Sequence, residues 1–475
     1  MSLFNPNNQR SSCMTRNLKV SLFSLFLIST ALVKTAVAEA NCYATTRLIT
    51  SAPNAENKTQ TCVAKLPISK PSTTPVIASV TNGGKYSLVC RTNGLWSPIA
   101  ATSSCPAPAA TTPAPTPTTK SRGIRLDPAY FYSSHPGQSA AQVAQNVVTT
   151  LKGANVNTIY LYGYSSVYGA YYPTTYPNTA VEPGYGTQNI FGAILSQAQM
   201  QGMKVVAVMP LNNFKHAWQN NPTWRVKQGG QTDYIPAPDT YLLSASVLAY
   251  KNWYTGFIKD FLQRNPTIDQ VEAVEPTLDY FWTGIPDQNA EALAAFNLNY
   301  AGAAVGSQSW RNFRAQEFLN LIALFNETVH ASSKQTALVQ TWTVNSSGAL
   351  FSSEVIKDSS GFDFVGVATL AGTKKTDHLI TELIWQQWFS QYGTAVFNPE
   401  WITSVGKAYD STLRAAGSTS DLIVHVEIST FGNTVPTKTE FARTMAATKL
   451  LPNGVSVYDY NQIRTQNAFA ELSQW

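Results

Sequence analysis

The sequence predicts an α/β chain: a (β/α)8 TIM barrel preceded by a small disulfide-stapled β module. Three observations carry this. Residues 121–475 alternate short β-branched and aromatic runs with amphipathic helical stretches to the end, the pattern of parallel βα units. Four of the five cysteines, Cys42, Cys62, Cys90 and Cys105, fall in one short segment. Between these regions runs a Pro/Ala/Thr tract with no means of building a core.

Residues 1–40 read as a secretory signal peptide. Arg10, Arg16 and Lys19 precede an apolar run over 20–33, and the small residues Ala36, Ala38 and Ala40 follow. The run is short for a bilayer span, which takes about twenty residues. Export to the periplasm or beyond is the expectation, with no stable membrane span once the leader is cleaved. The alternative is an uncleaved anchor.

Residues 41–105 are rich in Thr, Ser and Asn, with short apolar stretches and turn signals at Asn82-Gly83-Gly84 and Asn93-Gly94. A small β module follows from this, and its few apolar residues need covalent help. Two disulfides in an oxidising compartment supply it, at about 2–4 kcal/mol each. Residues 106–120 form the linker, extended by their prolines.

Over 121–475, strands are expected at 124–131, 157–162, 204–210, 270–275, 337–343, 362–368, 422–428 and 455–460. Helices are expected at 140–153, 188–201, 244–264, 312–331, 378–392 and 437–450. Eight strand–helix repeats make a closed barrel the first choice. A doubly wound open sheet is the competitor. It needs a glycine-rich phosphate loop after the first strand, where the chain reads Tyr130-Phe131-Tyr132-Ser133-Ser134-His135.

In such barrels chemistry sits where the strands end. The fourth expected strand ends at Glu275, before Pro276, and the seventh delivers Glu427 to the same rim. Two carboxyl groups across a site suit glycosidic cleavage, one protonating the leaving oxygen and the other attacking the anomeric carbon or activating water. Asp279 is a third candidate, with a cap or turn role as its alternative. Each glutamate also has a plain structural reading as the partner of an arginine or of loop amides. Glu272 alternates away from Glu275 and is expected to face a helix. His425 shares the face of Glu427 and can tune it or touch a substrate; the alternative is a satisfied histidine of the barrel interior.

Aromatic rings supply the rest. Tyr162 and Tyr164 follow the second strand, Trp218 and Trp224 the third, Tyr280 and Trp282 the fourth; Trp342 lies on the fifth and Tyr458 on the eighth. Such rings stack on sugar faces while their polar tips stay wet, or cover the barrel mouth as packing. Asp127 and Asn212 are candidates for binding substrate hydroxyls, with a turn or capping role as the alternative for each.

Composition fits an uncharged, hydroxyl-rich partner. Charged residues make up 13% of the chain and hydrophobic ones 44%, with a formal net charge of +6. Loss of residues 1–40 removes four positive charges and one negative and leaves +3. No run of five basic residues occurs, which argues against nucleic acid. The five histidines show neither HxxxH nor HxH spacing, and GxSxG and GxxxxGK[ST] are absent. No metal and no cofactor is implied.

Three resemblances add to this. Four cysteines with Tyr86 before the third, and Gly94-x-Trp96 between the third and fourth, resemble a sushi module. That resemblance implies pairing of Cys42 with Cys90 and of Cys62 with Cys105, and a possible surface or protein partner for residues 41–105. Glutamates ending strands four and seven resemble the retaining TIM-barrel glycoside hydrolases, which implies Glu275 as acid/base and Glu427 as nucleophile. Val274 stands where that group usually has Asn. Asn157-Thr158-Ile159-Tyr160, Gly202-Met203-Lys204-Val205, Asn221-Pro222-x-Trp224-Arg225-Val226, Ile268-Asp269-x-Val271 and Ala295-Phe296-Asn297 are similar to bacterial exported glycoside-hydrolase-like barrels, including the domain fused to periplasmic poly-N-acetylglucosamine deacetylases. Those barrels carry an acidic residue just after strand four, a place that Asp279 fits.

The expected function is that of an exported glycoside hydrolase acting on a polysaccharide or oligosaccharide. The alternatives are a silent glycan-binding barrel, and an adhesion or scaffold protein working through the sushi-like module.

Overall fold

A computed structural model of the chain describes 46–49, 62–65, 76–79, 85–90, 96–101 and 120–475, the last without 135, 136, 187, 275, 280, 281, 341–343, 452 and 453. The chain divides into two units, with a boundary in the sequence between Thr119 and Lys120. In the first, Thr46–Ile49 pairs antiparallel with Cys62–Lys65, and Val76–Ser79, Lys85–Cys90 and Trp96–Ala101 form a three-stranded antiparallel sheet. Cys62 opens one of these strands and Cys90 ends another. Cys42, Cys105 and the leader lie outside the described residues.

The second unit is a closed eight-stranded parallel barrel. Its strands are β1 (Ser121–Leu126), β2 (Thr158–Tyr162), β3 (Lys204–Pro210), β4 (Gln270–Val274), β5 (Gln335–Gln340), β6 (His378–Glu382), β7 (Asp421–Glu427) and β8 (Gly454–Tyr458). Each pairs in parallel with its neighbours, and β8 closes on β1 through Gly454↔Ser121 to Val457↔Ile124. The open-sheet alternative is thereby excluded.

Helices ring the barrel: α1 (Ala140–Gly153), α2 (Ile190–Met200), α3 (Leu248–Arg264), α4 (Gln308–His330), α5 (Ser353–Ser360), α6 (Phe364–Thr369), α7 (Trp385–Tyr392), α8 (Trp401–Ala415) and α9 (Lys438–Lys449). Local chemistry starts several of them. A capping box of Ser139 with Gln142 opens α1, and one of Thr437 with Glu440 opens α9. Among the described residues no helix is long and apolar enough to cross a membrane.

The pleat sorts side chains into two cores. Ile124, Leu126, Ile159, Leu161, Val205, Ala207, Val271, Ala273, Leu379 and Val424 face the helices. Tyr160, Val206, Val208, Ala337, Val339, Ile380 and Ile423 fill the barrel. Gly123 makes room for this filling, since a Cβ there would stand 2.2 Å from the Tyr160 ring.

Two elements differ from the sequence expectation. The run expected as the sixth strand, 362–368, contains the helix α6. Asp363 caps it by accepting from the Gly366 N–H at 2.7 Å, and Phe364, Val367 and Ala368 bury the helical spacing that the β-like run of Phe and Val disguised. The sixth strand lies instead at the start of the expected helix 378–392, which begins only at Trp385. The first expected strand also runs too far, for Ala129–Ser134 is a short helix.

Candidate active site

The barrel interior carries charge at mid-height. Arg125 on β1, Glu272 on β4 and His425 on β7 alternate with helix-facing neighbours, so all three point inward. Glu272 therefore does not face a helix. Its flanking Val271 and Ala273 take that side, and its carboxylate receives the Arg125 guanidinium through Nη1 at 2.7 Å and Nη2 at 3.1 Å. The remaining guanidinium donor, Nε, reaches His425 Nδ1 at 2.8 Å. His425 Nε2 in turn stands 3.2 Å from Glu427 Oε1. One chain of contacts thus runs across the barrel and up to its C-terminal rim.

The first three members are closed off from solvent, at 1%, 0% and 3% exposure for Arg125, Glu272 and His425. Burial works against the Arg125 charge, and the Glu272 carboxylate with Tyr162 and Tyr160 outweighs it, so the guanidinium stays charged. The Tyr160 ring lies 5.2 Å from it. Burial, and then the Arg125 charge, push His425 well below the usual histidine range. Both causes favour the neutral ring.

Glu427 ends β7 and is the member that reaches the mouth, its side chain 11% exposed. Burial, then the charge of Glu382, push its pKa well above the carboxylate range; the Ser429 hydroxyl opposes this, Asp459 adds to it, and Arg125 opposes it more weakly. Glu382 ends β6 in register with His425, and Tyr458 ends β8 in register with Glu427. Asp459 follows, its Oδ1 accepting from the Gln462 N–H at 2.8 Å and its Oδ2 from the Tyr130 hydroxyl. A carboxyl whose proton affinity is raised in this way at a barrel mouth has the makings of a general acid.

The other expected site residues fall into three groups. Glu275, Tyr280 and Trp342 lie outside the described residues. Asp127, Tyr162, Trp282 and Tyr458 are half-buried. Asp127 Oδ1 accepts from the Ala129 N–H at 2.9 Å, and the Tyr458 ring is 6.1 Å from that of His425.

The third group is occupied elsewhere. Asp279 is fully enclosed, its Oδ2 accepting from the Thr283 N–H, the Thr283 hydroxyl and the Gly284 N–H, its Oδ1 from the Tyr234 hydroxyl, with Arg314 at 3.8 Å. That is the pattern of a loop-organising carboxylate. Asn212 is buried and donates to the Thr277 carbonyl at 2.7 Å. Tyr164 is buried between Phe214 and Phe257. Trp224 packs on Tyr250 and Trp253, and the Arg225 guanidinium covers Trp218 at 3.7 Å. The wealth of rings after β2 and β3 is accordingly in large part the packing of α3 against the barrel.

Arg125, Glu382 and Asp459 were not singled out from the sequence. A signal for Arg125 exists, because a charge between Ile124 and Leu126 in the middle of an apolar strand must find a buried partner. Glu272 between Val271 and Ala273 is that partner by the same logic. Glu382 was hidden by the helix expected over its strand. Among the described residues no group of three His, Cys, Asp or Glu is placed to hold a metal ion.

No protein-family model and no curated protein matches the sequence. Solved structures do resemble it. The glycoside hydrolase domain of PgaB (BpsB) from Bordetella bronchiseptica is 14% identical, with 75% of this chain and 98% of that one covered and a TM-score of 0.57. The β-galactosidase from Marinomonas ef1 is 12% identical over 71% of this chain and 54% of its own, at a TM-score of 0.51. The β-galactosidase from Halorubrum lacusprofundi is 9% identical over 74% and 57%, also at 0.51. At these identities the likeness is one of fold, and the fold is the TIM barrel.

Proposed function

We propose that the chain is an exported glycoside hydrolase, with Glu427 as the acid that protonates the leaving glycosidic oxygen. The observation that carries this reading is the Glu427 carboxyl itself, at the C-terminal end of β7, nearly enclosed and in contact with His425, where burial and Glu382 raise its affinity for a proton. A carboxyl so protonated makes a poor nucleophile, which reverses the role that the retaining-hydrolase resemblance implies for it. The second carboxylate, as nucleophile or base, is assigned to Glu275. Asp279 serves the loop after β4 rather than the reaction. Tyr162, Tyr458 and Trp282, half-buried in the loops and strand ends of the second unit, are the rings left to meet a sugar face. The sushi-like segment, with its two disulfides, holds the barrel at a surface or partner.

Reducing-end release from a panel of polysaccharides by the full chain tests this. Glu427→Gln keeps the shape and removes the acid, and cleavage should fall about 10²–10⁴-fold. Cleavage unchanged by that substitution overturns the assignment. Glycan binding without cleavage in either form favours the silent binding barrel.

A further inference from the structure

Resting on that reading, we infer that Arg125, Glu272 and His425 are positioning residues that fix which oxygen of Glu427 carries the acid proton: Oε1 is held as an acceptor, and Oε2 bears the proton. The argument is one of obligatory donors. A guanidinium has five N–H donors and no acceptor. Glu272 takes Nη1 and Nη2 side by side, which leaves Nε aimed at His425 Nδ1 at 2.8 Å. Nδ1 must then present its lone pair, and a neutral imidazole carries its one proton on Nε2. That N–H faces Glu427 Oε1 at 3.2 Å and donates to it.

Two consequences follow. His425 cannot take a second proton without turning Nδ1 toward the Arg125 N–H, so it does not ferry protons and acts as a fixed donor. In the reaction the Oε2–H bond breaks, the proton passes to the leaving oxygen, and the bonding pair stays on the carboxylate. The charge that develops meets a hydrogen bond already in place at Oε1. The groups that face Glu427 are His425 and the Ser429 hydroxyl on and just after its own strand, Glu382 on β6, Arg125 on β1, and Tyr458 and Asp459 on and after β8. A serine hydroxyl rotates and can donate or accept, whereas His425 is a donor fixed from behind by Arg125.

The direct test is the tautomer, read by 15N NMR of histidine-labelled full-length protein, with the His425 signals identified by their loss in His425→Gln. The expected result is a neutral ring with its proton on Nε2 and no titration across the usual histidine range. A proton on Nδ1, or conversion to imidazolium in that range, overturns the proposal. This readout does not depend on turnover, so it can fail while Glu427→Gln still abolishes cleavage, and hold while Glu427→Gln is silent.

Kinetics adds a second arm. His425→Phe should lower kcat about ten- to a hundredfold, the range for one hydrogen bond to a charged group, and move the alkaline limb of the kcat/KM profile to higher pH. His425→Gln, which retains a donor, should restore both. The pair change Arg125→Met with Glu272→Leu leaves no buried charge unpaired and frees Nδ1, so the Nε2 tautomer should no longer be fixed; a tautomer unchanged in that variant contradicts the role of Arg125. An unchanged pH profile in a folded His425→Phe protein contradicts the positioning role; where a variant does not fold, the wild-type tautomer still decides.

Discussion

Glu382 stands in register with His425 across β6 and β7, two residues deeper along β7 than the pair of Glu427 and Tyr458. After burial, its charge is the strongest influence holding the proton on Glu427. Glu382→Gln removes that charge and lowers the Glu427 pKa. The alkaline limb of kcat/KM should move to lower pH, with activity kept on its acidic side. A limb that stays in place or moves up contradicts the coupling.

Stability should carry the same signature. Because Glu427 binds its proton more tightly folded than unfolded, its contribution is fully present below about pH 4.5 and is lost as pH rises toward its folded value. Glu427→Gln should therefore be more stable than the wild type near pH 8, with the difference shrinking as pH falls to 4. Thermal unfolding at several pH values checks this, and a constant offset between the two proteins contradicts it.

Asp287 offers an independent case away from the mouth. It is buried in the loop after β4, accepting from the Asn289 N–H at 3.1 Å, and burial pushes it up to about 6 from 3.8. The rise corresponds to about 3 kcal/mol of stability lost between pH 4 and 6. Asp287→Asn should recover up to that amount above pH 6 and nothing below pH 4, as measured by denaturant unfolding.

Asp279 separates structure from chemistry. Asp279→Ala strips the loop after β4 of its acceptor and leaves Arg314 buried without its carboxylate. Stability should fall by about 3–5 kcal/mol, with kcat per folded molecule little changed. Full stability with turnover lost would restore Asp279 to the reaction.

The barrel was legible in the sequence because both of its cores obey the simplest rule, alternation within strands and helical spacing between them. Strand β6 was not, because His378-Leu-Ile-Thr-Glu is brief and runs within two residues of a helix that starts at Trp385. The polar interior escaped for a different reason. Arg125 and Glu272 lie on strands whose alternate residues face helices, and period two cannot tell which face is the inside until the barrel closes. Closure also decides the rings. Tyr164 and Trp224, drawn toward substrate by their loop positions, are claimed by Phe257 and Trp253 on α3.

The most direct measurement is the titration of the Glu427 carboxyl by 13C NMR of glutamate-labelled full-length protein, assigned by difference from Glu427→Gln. A carboxyl that remains protonated well above the usual glutamate range is the result expected of an acid held between His425 and Glu382. A midpoint near 4.5, the ordinary glutamate value, would contradict it and return Glu427 to the part of an ionised nucleophile.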